Sequence, residues 1–128
     1  MGLIKDYKEL IVWQKANFLA NSVIDLAEKF PKTISSEIIA KQMIRSATSV
    51  PANIAEGFGS RKGNEFVSYL YQARKSVPET DYWLFLSKER QFIAEKQYTD
   101  ISEKYIEVSK MLNSFIKKIK DNSKNTNH

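Results

Sequence analysis

With 128 residues, 42% of them hydrophobic, 12% aromatic and 27% charged, the chain has the material for one compact domain with a real core, and its composition is far from that of a disordered protein. Four glycines and three prolines are too few to punctuate a sheet-rich fold, and zero cysteines exclude disulfides, thiolate metal sites and cysteine nucleophiles. The net charge of +5 is concentrated at one end: from Ser109 onward five lysines face the single acid Asp121, leaving a nearly neutral body.

The apolar period is close to 3.5 along almost the whole chain, which is the signature of amphipathic helices. A first segment runs from Tyr7 to Phe30, with Val12, Ala16, Leu19, Val23, Leu26 and Phe30 in steps of four and three, and Phe30-Pro31 closes it. A second starts after Ser35-Ser36, either of which can cap it, and carries Ala40, Met43, Ala47, Val50 and Ile54. Pro51 lies inside that pattern and predicts a bend; Gly57-Phe58-Gly59 ends the segment. A third begins near Asn64, read as its N-cap, and continues through Phe66, Leu70, Ala73, Val77 and Leu84, with Thr80 as a weak point and Pro78 as a second bend. A fourth keeps Tyr98, Ile101, Tyr105, Val108, Leu112, Phe115 and Ile119 in phase. The third stripe runs into the fourth without a Gly or Pro, but Ser87 and Gln91 are polar where the stripe needs apolar residues, so a turn is placed from Gln91 to Glu95. Asp121 to His128 contains no apolar residue and is expected to be disordered.

Four such helices with short loops predict an all-α, antiparallel up-down-up-down four-helix bundle: one domain over residues 1–120 and a polar tail over 121–128. The apolar surplus off the narrow seams (Trp13, Phe18, Tyr82, Phe85 and Ile106 among others) should widen the core and also leave aromatic patches outside, the mark of a partner or of self-association.

Catalytic chemistry finds little support. The single histidine, His128, ends the polar tail, so neither a histidine triad nor a Glu-x-x-His metal cluster can be assembled. There is no Glu-x-x-Glu, and Glu103 and Glu107 read as a salt-bridged surface beside Lys104 and Lys110. The stretch from Gly57 to Gly63 is glycine-rich and basic, but it lacks the Gly-Lys-Ser/Thr of a phosphate loop and reads as a flexible interhelical turn. Ser46, Ser49, Asn53 and Glu56 share one helical face next to Pro51, which frees a backbone carbonyl; a structural polar network that fixes helix or subunit register is weighed above a ligand site there. No cofactor or metal is implied. Apolar runs are far short of the roughly 20 residues a spanning helix needs, and Asp6 and Lys8 interrupt any export signal, so the expected place is the cytoplasm.

Trp13-Gln14-Lys15-Ala16, Phe30-Pro31, Gln42, Arg45, Ala47, Ser49-Val50-Pro51, Asn53-Ile54-Ala55-Glu56-Gly57-Phe58-Gly59, Glu65-Phe66, Leu70-Tyr71, Ala73, Ser76 and Glu79 occur in that order. This succession resembles the 23S rRNA-intervening-sequence protein family from Tyr7 to Lys120, with departures at Lys75, Pro78 and Thr80 to Trp83. The resemblance implies a bacterial four-helix protein, not an enzyme, that assembles into a homopentameric ring. It further implies a scaffold or nucleic-acid-associated accessory factor, or an adaptor to a neighbour-encoded protein, as in the related accessory proteins of diversity-generating retroelements, which bind a reverse transcriptase. On that basis Arg45, Arg61, Lys62, Arg74, Lys75, Lys117, Lys118 and Lys120 are the candidate contacts to RNA or DNA phosphates. Trp13, Ser49, Asn53, Glu56, Gly57, Phe66 and Glu79 form the structural or interface motif, with Arg45, Asn53 and Glu56 fixing the second helix.

Overall fold

The computed structural model describes residues 3–60 and 62–126, with side chains through residue 123. Four α-helices follow a short 3-10 turn at Tyr7–Glu9: α1 (Ile11–Ala27), α2 (Ile34–Phe58), α3 (Gly63–Glu89) and α4 (Glu95–Thr126); the described residues contain no strand. Each helix packs on its neighbours in the chain, α1 also meets α4, and α2 against α3 is the most extensive contact.

The helical stripes supply the core. Val12, Ala16, Leu19 and Val23 of α1 join Met43, Ala47, Val50 and Ile54 of α2, Leu70, Ala73 and Leu84 of α3, and Tyr105, Val108 and Leu112 of α4 in one buried cluster. Burying a Leu, Ile or Val side chain contributes about 1.5–3 kcal/mol relative to exposure. Along α4 the stripe drifts: Ile116, not Phe115, is the fully buried residue after Leu112. A straight helix turns every 3.6 residues, so a strict 3.5 period slips by about 20° per heptad and brings the next residue inward.

Several local expectations are corrected. The first segment is split: a capping box of Asp6 and Glu9 closes the 3-10 turn, with Asp6 Oδ1 accepting from Lys8 N at 2.9 Å and Glu9 Oε2 from Asp6 N at 2.8 Å. α1 stops at Ala27, three residues before Phe30, which remains buried through its contact with Phe92 at 5.1 Å between ring centroids. Neither Ser35 nor Ser36 is the N-cap of α2; Thr33 is, in a reciprocal box where Thr33 Oγ1 accepts from Ser36 N and Ser36 Oγ accepts from Thr33 N. Ser36 sits one turn in, buried, and its hydroxyl also donates to the Pro31 carbonyl. Asn64 lies inside α3, whose N-cap position is Lys62, without a side-chain cap. Both α2 and α3 continue through their prolines, Pro51 buried and Pro78 exposed.

Gly57 is inside α2 rather than at its end. A Cβ there would lie 2.7 Å from Phe66 Cδ1 and 2.8 Å from Tyr69 Cβ, so the glycine is needed for the close approach of α3. The helix ends instead at Gly59, whose N–H bonds back to Ala55 and Glu56 carbonyls. Of the stretch from Gly57 to Gly63, Gly57 and Phe58 are the last residues of α2 and Gly63 opens α3, with Gly59, Ser60 and Lys62 outside the helices.

The turn between α3 and α4 falls where the sequence places it, by a different device. Ser87 is fully buried, donating to the Trp83 carbonyl at 2.7 Å, so it belongs to the core face. The stop is a left-handed residue, Gln91, at φ 65°. Gln91 N bonds Lys88 O at 2.9 Å and Phe92 N bonds Ser87 O at 2.8 Å, the paired bonds of a Schellman C-cap. α4 then runs to Thr126, into the stretch expected to be disordered; Ile119 is its last residue packed on the core, and Asn127 and His128 lie outside the described residues.

Candidate anion-binding surface

Two polar features are built on this scaffold, one inside and one outside. Inside, a line of hydroxyls runs between α2 and α3. Thr80 Oγ1 donates to Ser46 Oγ at 2.9 Å and also reaches the Ser76 carbonyl; Ser49 Oγ and Ser76 Oγ are 2.9 Å apart. Asn53 Nδ2 donates to Ser49 O at 2.8 Å and to Ser49 Oγ at 2.9 Å. Thr80 is fully buried, so the weak point of the stripe is a satisfied polar contact. The network joins the two helices with short side chains that bond one another directly. Asn53 serves the carbonyl of Ser49, not the one freed by Pro51. Arg45 and Glu56, also expected to fix α2, are exposed, and their side chains make no hydrogen bond or ion pair among the described residues, whereas Asn53 and the serines bond one another.

Outside, the basic side chains gather on the α3–α4 face. Helical spacing puts Tyr71, Arg74, Lys75 and Pro78 on one side of α3, and Lys110, Asn113 and Lys120 come up to them from α4. Arg74 lies 4.7 Å from the Tyr71 ring centroid and donates to Asn113 Oδ1 at 2.7 Å. Lys120 approaches the same ring at 5.1 Å and donates to its hydroxyl. Tyr71 thus holds Arg74 over its π face and Lys120 at its hydroxyl. The ion pairs among the described residues are Lys8–Asp6, Lys15–Glu107 and Lys96–Asp100, so Arg74, Lys75, Lys110, Lys117, Lys118 and Lys120 have no carboxylate in pairing distance.

Between α3 and α4 beneath these cations lies an open groove of about 850 Å³. Val77, Pro78 and Ile106 give it apolar walls, and Tyr105 lies along it. Tyr105 is 1% exposed and its hydroxyl has no hydrogen-bond partner among the described residues. Burial raises its pKa and keeps it protonated. At the other end Asp81 accepts from Tyr98 OH at 3.1 Å and from Ser102 Oγ at 2.9 Å. The pKa of Tyr98 is raised, first by burial.

The predicted contact residues do not form one surface. Arg74, Lys75 and Lys120 are brought together; Lys117 and Lys118 are exposed on α4. Lys62 lies at the α2–α3 connection beside Glu56 and Glu65, and Arg45 is on α2. Arg61 lies outside the described residues. Of the motif residues, Trp13 is half-buried edge-on to Tyr7 at 5.1 Å, and Phe66 sits between Phe58 and Phe115 at 6.2 and 5.2 Å. Glu79 is exposed. The pairing of Lys104 or Lys110 with Glu107 is replaced by Lys15 at 2.8 Å, which joins α1 to α4 and lowers the Glu107 pKa. Sequence reasoning does not single out Tyr71, Lys110, Asn113 and Tyr105 as site residues. Their three- and four-residue spacing is visible in the sequence, but the register of α3 against α4 that makes them neighbours is not.

Fold and surface together define a small all-helical bundle with a hydroxyl seam in its middle and an unneutralised basic face outside. The chain belongs to the 23S rRNA-intervening sequence protein family, whose sequence model matches residues 8–114. It is similar to a protein of unknown function from the S23 ribosomal protein family of Bacteroides thetaiotaomicron VPI-5482, whose crystal structure at 1.70 Å resolution superposes with a TM-score of 0.77. The two are 32% identical over 84% of this chain and 99% of that one. No curated protein matches the chain. Among the described residues no helix is long and apolar enough to cross a membrane.

Proposed function

We propose that this protein is a non-enzymatic, self-assembling helical bundle that works in the cytoplasm as a scaffold or nucleic-acid-associated accessory factor, its subunits closing into a homopentameric ring. The observation that carries the reading is the cluster of Arg74, Lys75, Lys110 and Lys120 with no carboxylate in pairing distance among the described residues. Desolvated by neither burial nor ion pairing, these cations exchange water and counterions for phosphate at little cost. Up-down-up-down order is supported by contacts that step in opposite directions along neighbouring helices: Met43 with Ser87, Ser46 with Thr80 and Ser49 with Ser76. Self-association is supported by large apolar side chains left outside, Phe18 at 60% exposure and Ile106 at 54%. A ring multiplies a modest patch by five and raises avidity while each subunit's contacts stay the same.

Light scattering at micromolar concentration tests the assembly: a pentamer is expected, and a monomer refutes it. A salt series with structured RNA and duplex DNA tests the surface. Binding is expected to weaken linearly in log–log form, and removing one phosphate-binding cation, as in Arg74→Ala or Lys120→Ala, should shrink the slope by about one. Salt-independent binding, or none, overturns it. The tail-deleted variant, ending before Lys117, is expected to keep part of the affinity.

A second reading is favoured by other exposed side chains. Tyr82 and Phe85 lie on α3, apart from Phe18 on α1, so the surface suits an adaptor to a neighbour-encoded protein such as a reverse transcriptase. Co-purification from the native host separates the two: a stoichiometric protein partner supports the adaptor, and nucleic acid supports the first reading.

A further inference from the structure

We propose that the groove between α3 and α4 is a binding site for a small organic anion, an apolar ring or chain ended by a phosphate or carboxylate. This goes beyond the polyanion surface, because the groove offers what a phosphate backbone does not use. One end is cationic and preorganised: Arg74 is fixed by the Tyr71 ring and by Asn113, with Lys75 and Lys110 beside it. A guanidinium already held in place loses little rotamer freedom when it takes an anion bidentately. The walls are apolar where an exposed surface normally is not, Ile106 being 54% exposed along the groove. The volume of about 850 Å³ lies in the ordinary range of small-molecule sites.

Asp81, whose carboxylate takes the Tyr98 and Ser102 hydroxyls, sits seven residues from Arg74 on α3, about 10 Å along the axis. It repels the anionic group from that end, so the ligand lies with its charge toward Arg74 and its apolar body over Val77 and Pro78.

The test is calorimetric titration of the full chain with phenyl phosphate, benzoate, inorganic phosphate and benzyl alcohol. Saturable binding of phenyl phosphate or benzoate is expected below about 1 mM, the stronger of the two naming the headgroup, with inorganic phosphate and benzyl alcohol each at least tenfold weaker. Arg74→Ala is expected to weaken the better ligand by tenfold or more, as removal of a charge-assisted bidentate partner does. Arg74 is exposed, so an unchanged melting temperature in Arg74→Ala separates a lost anion contact from a damaged fold. No saturation by about 10 mM, equal binding of inorganic phosphate, or unchanged affinity in Arg74→Ala overturns the proposal. Ile106→Ser, which removes an apolar wall and no charge, is expected to weaken binding of the organic anion and leave RNA affinity unchanged, which distinguishes this site from the basic face.

Discussion

Replacing Tyr105 with phenylalanine isolates a single atom. The ring stays in the core cluster, and the only change is removal of a hydroxyl that is buried, unpartnered and therefore stripped of water without compensation. Leaving such a group unsatisfied costs about 1–3 kcal/mol, so Tyr105→Phe is expected to stabilise the protein by that amount. With an unfolding entropy of about 2.1 cal/mol/K per residue, the whole chain has about 0.27 kcal/mol/K, and the melting temperature rises by about 4–11 °C. Alkali gives an independent reading. Burial raises the Tyr105 pKa above its ordinary 10.0, so the folded state keeps a proton that the unfolded state loses. The contribution to stability is full below pH 10 and declines as pH rises toward the folded value, by up to about 1.4 kcal/mol per pH unit. Tyr98 is shifted the same way, so the variant removes part of the alkaline slope and not all of it. Thermal and urea melts at one protein concentration, at pH 7 and above pH 10, measure both effects. A melting temperature equal to or below that of the parent, with an unchanged alkaline slope, would show that the hydroxyl is hydrogen-bonded or hydrated, and the reasoning would fail.

Three further substitutions test other joints of the fold. Gly57→Ala would gain about 1 kcal/mol in an ordinary helix interior, but its Cβ would lie 2.7 Å from Phe66 Cδ1 and 2.8 Å from Tyr69 Cβ. A net loss of about 1–3 kcal/mol is expected in urea denaturation, and a gain would show that α3 shifts freely. Gln91→Gly removes the cost of a left-handed side chain at φ 65° and is expected to stabilise by about 1 kcal/mol, read as a higher urea midpoint at constant m. Glu107 has its pKa lowered by the Lys15 hydrogen bond, so its contribution is present above about pH 4.5 and lost as pH falls through the folded value. Glu107→Gln is expected to flatten slightly the acid limb of the stability–pH curve, and an identical limb refutes a role for this pair.

The helices are legible in the sequence because each stripe repeats over many turns, and errors in a few positions do not move a period. Boundaries are less legible because they depend on one or two residues. Thr33 and Ser36 make a reciprocal cap, and Ser35-Ser36 looks equally competent until the chain direction after Pro31 is known. Gly57 looks like a stop signal in sequence; only the arrival of Phe66 and Tyr69 from another helix shows why a side chain is excluded. Ser87 suggests a break at the right location for the wrong reason, since it is a buried hydroxyl and the stop is set by Gln91. The basic candidates can be found one by one, but their grouping depends on the register of α3 on α4. That register is fixed by contacts more than thirty residues apart, such as Arg74 with Asn113.

The same distinction explains why the molecule carries its polar groups where it does. Between α2 and α3 the hydroxyls of Ser46, Ser49, Ser76 and Thr80 are short, locally satisfied and able to pair across the interface at one register only. A slip by one turn would break the Thr80–Ser46 and Ser49–Ser76 bonds across the seam and leave Thr80 and Ser46 only the carbonyls of their own helices, while the apolar stripes would still match. Hydrophobic periodicity thus brings these helices together and hydroxyl pairing selects their alignment. On the α3–α4 side the selection is weaker. Tyr105 is left orphaned, the hydrogen bonds there lie at the ends, and a groove remains between them. The bundle has therefore put its specificity into one seam and kept the other open, with its unpaired cations along it. Stability alone would favour closing that seam, with Tyr105→Phe beneath it and a carboxylate placed near Arg74; a guanidinium fixed by Asn113 and Tyr71 without a carboxylate partner is the feature on which the proposed anion site rests.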